Sequence, residues 1–125
     1  MTKSQLLEFK KTLQSTQSVR KPDKQTTQLL FYLFTNTKGG FTRLRIIMLL
    51  LQRSYNTHQL AQDLKLDYKA VQHHLKVLEK NNMVLKGCEK YGATFQISVF
   101  LEINIGALYM AIDKLDQKIT PKIYL

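Results

Sequence analysis

Leu6, Phe9 and Leu13 recur at helical spacing across residues 4–15, with Lys10 and Lys11 elsewhere on the wheel, and predict a short amphipathic helix. The stretch "SVRKPDK" ends that pattern, because Pro22 has no backbone N–H to give to a helix interior. In "TTQLLFYLF" the apolar run Leu29–Phe34 fits helix or strand; we read it as helix, closed by Gly39 or Gly40 of "NTKGG". "TRLRIIMLLLQR" then sets Leu44, Ile47, Leu50 and Leu51 on one face of a helix, with Arg43 and Arg45 away from the centre of that face.

The boundaries sharpen after "SYN". Asn56, followed three residues later by Gln59, has the form of a capping box, opening a helix over "THQLAQDL" with Leu60, Ala61 and Leu64 buried. A short link, "KLD", leads to Asp67, a suitable N-cap for a third helix running to about Asn82, with Val71, Leu75, Leu78 and Asn82 along one stripe. The period then changes from helical to two. Ala93, Phe95, Ile97 and Val99 alternate with Thr94, Gln96 and Ser98 as in a half-buried strand, and "GCEKYG" joins it to an earlier strand, "MVLK", as a hairpin.

From Leu101 onward, Leu101, Ile105, Leu108, Ile112, Leu115 and Ile119 recur at alternating spacings of four and three. Ile at a and Leu at d is the choice of two-stranded parallel coiled coils. The same pattern also fits an amphipathic helix packed on its own domain, and the pattern alone does not choose between the two.

A length of 125 residues suits one domain, and 44% hydrophobic residues suffice for a core. Charge changes the picture: 19 Lys and Arg against 9 Asp and Glu leave +10, a potential that attracts polyanions. Cys88 is the single cysteine, so no internal disulfide forms, and the expected setting is the reducing cytoplasm. "MTKSQLLEFKKTLQ" is charged throughout, unlike a signal peptide, and no apolar run is long enough to expect a membrane span.

Three helices, a short turn between the second and third, and then a hairpin follow the order of a winged helix-turn-helix, in which the third helix enters the DNA major groove. The fold expected is mainly α with a small β-hairpin and flanking helices at both ends. With Val71, Leu75 and Leu78 inward, Tyr68, Lys69, Gln72, His73, Lys76 and Lys80 face outward. Lys and Gln suit guanine and adenine edges, and the outer lysines suit phosphates.

The segments "TKGGFTRLRIIMLLL", "NTHQLAQDLKLDYKAVQHHLKVLEKNNMV" and "YGATFQISVFLE" make residues 38–102 resemble the winged-helix domain of ArsR-like transcriptional regulators, particularly the archaeal type. The resemblance implies a dimeric DNA-binding repressor or activator with recognition positions Tyr68, Lys69, Gln72, His73 and Lys76. It also implies a wing from about Met83 to Val99, with Lys86 and Lys90 near its tip. Arg43 and Arg45 either meet the DNA backbone or solvate their helix. On this reading residues 1–37 are an N-terminal helical extension, 38–99 the DNA-binding domain, and 100–125 a dimerisation helix and tail whose seam is Leu101, Ile105, Leu108, Ile112, Leu115 and Ile119.

Metal-sensing members of that family carry paired cysteines or clustered acidic and histidine ligands, whereas this chain has one cysteine, so no metal is expected. His73 and His74 diverge by roughly 100° about a helix axis and would not clasp one ion. His73 is expected to face DNA and His74 to sit at the edge of the core. Cys88, Tyr91 and Gly92 are read as shaping the hairpin. No Gly-rich phosphate loop, nucleophile elbow or metal motif occurs, so neither catalytic residues nor a cofactor is expected. The leading expectation is a sequence-specific regulator of double-stranded DNA, homodimeric, cytoplasmic and nucleoid-associated. The competing readings are a winged-helix protein adaptor and a chromatin-like binder with little sequence preference.

Overall fold

The computed structural model describes residues 3–14, 21–36 and 38–119. The chain divides after Phe41 and before Ile103 into a helical unit contributed by both ends and a central unit, Thr42–Glu102. Mainly helical, with a small antiparallel sheet, the architecture is the winged helix-turn-helix expected, with helices on either side of it in sequence.

In the helical unit, α1 (Lys3–Gln14) and α2 (Lys24–Phe31) pack on α7 (Ile105–Ile119). Leu6 and Leu13 of α1 are buried as their spacing predicts. Asp23 starts α2: extended at φ −103°, ψ 160°, it accepts from the backbone N–H of Thr26 at 2.8 Å and from the Thr26 hydroxyl at 2.9 Å. The Lys10 ammonium lies 2.6 Å from Asp113 and 3.3 Å from Asp116, tying α1 to α7. Glycine does not end α2. The helix widens into a π-helical turn, Tyr32–Asn36, and Gly40 is the first residue of α3 (Gly40–Leu50). A Cβ on Gly40 would stand 2.6 Å from the carbonyl carbon and oxygen of Phe34, and neither atom can rotate aside.

The C-terminal seam needs correction. It is not one helix from Leu101, because α6 (Val99–Ile103) stops and α7 restarts beyond Asn104, whose carbonyl accepts from Ala107 and Leu108. Leu101, Ile105, Leu108 and Ile112 are buried within the single chain, and Leu115 is half-buried. A side chain already covered by its own chain has no surface left for a partner. The seam is core rather than a dimer interface, and the side chain of Ile119 lies outside the described residues.

In the central unit, Leu44, Ile46, Ile47, Met48 and Leu50 are all buried, so α3 is covered on more sides than the expected single stripe. After β1 (Tyr55–Asn56) comes α4 (Thr57–Leu64), opened by the complete capping box: Gln59 N–H to Asn56 Oδ1 at 2.8 Å, and Asn56 N–H to Gln59 Oε1 at 2.9 Å. Asn56→Ala removes the side-chain acceptor for Gln59 N–H while the backbone N–H of residue 56 remains, and is expected to lower stability by about 1 kcal/mol, read as a lower urea midpoint at unchanged slope. Lys65, in the left-handed conformation at φ 55°, closes α4 and turns the chain into α5 (Tyr68–Lys80). Asp67 occupies the N-cap position of α5, but its side chain makes no capping bond. Val71, Leu75 and Leu78 are buried as expected. Asn82 is not on their stripe, since it lies beyond the helix in a left-handed turn at φ 61°.

The hairpin strands β2 (Val84–Lys86) and β3 (Thr94–Ile97) pair antiparallel, Val84 opposite Ile97 and Lys86 opposite Phe95. The sequence reading missed two features. β1 joins as a third strand in the order β1-β3-β2, pairing Tyr55 with Phe95. The strand alternation also stops before Val99, which is exposed in α6, because Ser98 is a helix cap: its Oγ accepts from Leu101 N–H at 3.0 Å and donates to the Asn82 carbonyl at 2.6 Å.

Candidate nucleic-acid interface

Burying Val71, Leu75 and Leu78 turns the opposite side of α5 to solvent. Tyr68, Lys69, Gln72, His73 and Lys76 are all exposed, as their spacing predicts. Lys86 on β2 and Lys90 in the loop that follows are exposed as well. Among the described residues, none of Lys69, Lys76, Lys86 and Lys90 has a carboxylate within 4.0 Å. Their charges remain available to an external anion.

A cleft of about 380 Å³ lies between α5 and the wing and sorts these residues. Tyr68, Gln72, Lys76 and Glu79 form its helix wall, Lys86, Glu89, Lys90 and Tyr91 its wing wall, and Asn56, Thr57 and His58 one end. Lys69 and His73 do not line it, so the outward face of α5 presents two stripes, one turned towards the wing. The wing wall is held by Gly87 N–H on the Thr94 carbonyl at 2.7 Å and by the Thr94 hydroxyl on Glu89 Oε1 at 3.4 Å. Gly92 sits at φ +60°, a conformation glycine adopts without strain. Beside it Tyr91 is 83% exposed, with the Lys90 ammonium 5.6 Å from its ring centroid. Tyr91 thus lines the cleft with most of its ring open to solvent.

Sequence reasoning overlooked Asn56, Thr57, His58, Glu79 and Glu89 as lining residues. The capping box located Asn56, but nothing in the pattern announced the β1–β3 pairing that carries it to the wing. Arg43 is a correction of another kind. It is buried, 6% exposed, and so does not reach a DNA backbone. One guanidinium nitrogen instead lies 3.3 Å from Nδ1 of half-buried His74. Burial first, then the Arg43 charge and then His73 hold His74 below the ordinary histidine range. The guanidinium has only donors, so Nδ1 accepts and the His74 proton resides on Nε2. The two adjacent histidines have the separate environments expected of them, with ring centroids 5.5 Å apart. No three His, Cys, Asp or Glu side chains among the described residues gather into a metal-ligand cluster.

Compared with known families, residues 41–86, from α3 through β2, match the family described as "Bacterial regulatory protein, arsR family". This segment is an ArsR-family helix-turn-helix. The match makes it the DNA-binding domain of a transcriptional regulator. The solved structure "Reduced HlyU from Vibrio cholerae N16961" shares the fold at a TM-score of 0.52 and 18% identity, over 78% of this chain and 93% of that one. No curated protein sequence matches the chain. The ArsR-family segment ends at Lys86, so Lys90 and Tyr91 fall beyond the matched residues. Among the described residues no helix is long and apolar enough to cross a membrane.

Proposed function

We propose that the chain is a sequence-specific regulator of double-stranded DNA that acts as a homodimer, with α5 in the major groove and the basic wing on the backbone. One observation carries this reading. Hydrogen-bonding and cationic side chains of α5 share a single cleft with the wing lysines, and among the described residues those lysines have no carboxylate partner. Gln72 and His73, at the middle of α5, read base edges; Lys69, Lys76, Lys86 and Lys90 take phosphates. A homodimer would use surface other than the buried seam: Leu7 of α1 and Met110 of α7 leave 52% and 42% of their surfaces to solvent. The net charge of +10 also suits a binder indifferent to sequence, so the deciding test is specificity.

Incubated with sheared genomic DNA, the protein is expected to enrich discrete fragments. On such a fragment, Gln72→Ala and His73→Ala lower affinity by about 1–3 kcal/mol while affinity for random duplex changes little. Lys90→Ala weakens both duplexes alike and reduces the log–log salt slope by about one unit. Uniform recovery of the genome would leave the chromatin-like reading, and no recovery the adaptor. Wing substitutions that alter the specificity ratio while those in α5 do not would move recognition to the wing.

A further inference from the structure

We propose that Arg43 is a positioning residue for the recognition helix, acting through the ring of His74, and that this pair sets an acid limit on DNA binding. The inference rests on the reading of α5 as the DNA-reading helix and adds a regulation of that site.

Arg43 belongs to α3 and His74 to α5, so their 3.3 Å contact fixes one helix against the other beneath the exposed face. Arg43 is 6% exposed as a residue, and its guanidinium keeps its charge at any physiological pH and needs acceptors around it. Neutral His74 supplies one. On the same helix, the ring of His73 stands 5.5 Å away on the solvent side, at 62° to the His74 ring. The groups that shift His74 are Arg43 from α3 and His73 from its own helix; α4 and β2, also packed on α5, carry His58, Asp63 and Lys86, each exposed to solvent. A proton on Nδ1 would replace an acceptor with a cation 3.3 Å from the Arg43 nitrogen, in surroundings that screen charge poorly. The seat of α5 then loosens.

The direction of the effect separates this device from general electrostatics. Acidification by itself favours a basic protein on DNA, because solvent-facing histidines gain positive charge near phosphates. The His74 seat works the other way. A histidine whose folded-state proton affinity is lowered contributes stability above the unfolded value, and loses it as pH falls through that value towards the folded one.

The test uses the full chain and a labelled duplex recovered from the genomic selection, by fluorescence anisotropy at constant ionic strength. Affinity of the unmodified protein is expected to fall about fivefold between about pH 7.5 and 5.5, a typical coupling between linked sites. In His74→Gln the amide oxygen still accepts from Arg43 but takes no proton, so the fall disappears or reverses. His73→Gln keeps the fall. Arg43→Gln weakens binding at both pH values, and Arg43→Lys recovers part of it. A flat or rising affinity in the unmodified protein, or an unchanged fall in His74→Gln, overturns the role assigned to the pair. If His74→Gln does not fold, the His74 ring resonances of the unmodified protein decide, since they must titrate over the interval in which affinity drops. Absence of binding at both pH values overturns instead the DNA reading on which this inference rests.

Discussion

Ile112→Asp is expected to unfold the helical unit and not to divide a dimer into folded halves. Ile112 has no exposed surface, and among its neighbours in the unit's core are Leu108 and Ala111, equally covered. Truncating such a side chain costs about 2–5 kcal/mol, and leaving a charge buried without a partner costs about 3–5 more. Against a whole-domain stability of about 5–15 kcal/mol, that sum removes most or all of the folded population. Circular dichroism should show lost helix, and urea titration a transition shifted to low denaturant or absent. Met110→Glu, on an exposed position of the same helix, is the control and should leave the fold intact. If α7 joins two copies by its outer face, sedimentation finds this control monomeric. A folded, monomeric Ile112→Asp would return the seam to the subunit interface.

Reversing two charges across the cleft, Lys76→Glu with Lys86→Glu, should weaken duplex binding by about two orders of magnitude and leave folding untouched. The lysines stand on opposite walls, one on α5 and one on β2, and both are exposed. Surface changes of this kind usually move stability by less than about 0.5 kcal/mol. Each phosphate contact contributes about −0.9 to the log–log salt slope, so losing two should flatten it by nearly two units while repulsion lowers affinity further. Anisotropy at two salt concentrations reads both quantities. Unchanged affinity would show that DNA does not lie in the cleft.

How much of this was legible in the sequence depends on what each signal encodes. The capping box is local, so Asn56 and Gln59 located α4 to the residue. The stripe Val71, Leu75, Leu78 oriented α5 and thereby its exposed side chains. The heptad at Ile105, Leu108 and Ile112 was equally legible as apolar spacing, but spacing says that a face is covered and not by what. The same chain covers it. Arg43 misled because an arginine off the centre of an apolar stripe usually reaches water, whereas here a histidine thirty-one residues later receives it. Ser98 and Val99 continued an alternating pattern past the point where a hydroxyl could cap a helix, a switch that depends on the Asn82 carbonyl being nearby. Partners distant in sequence leave no periodic trace.

Glu79 on the helix wall of the cleft and Glu89 on the wing wall stand among three lysines. For a duplex lying against α5, this alternation gives the cleft a phase. In one placement phosphates fall beside ammonium groups; displaced along the groove, they fall beside carboxylates, and attraction turns to repulsion. A cleft lined by lysine alone would hold DNA equally well at every step. If the duplex lies in this cleft, two acids among the lysines would let the protein hold it in some placements and repel it in others, which would shorten its stay at wrong positions during a search along the duplex.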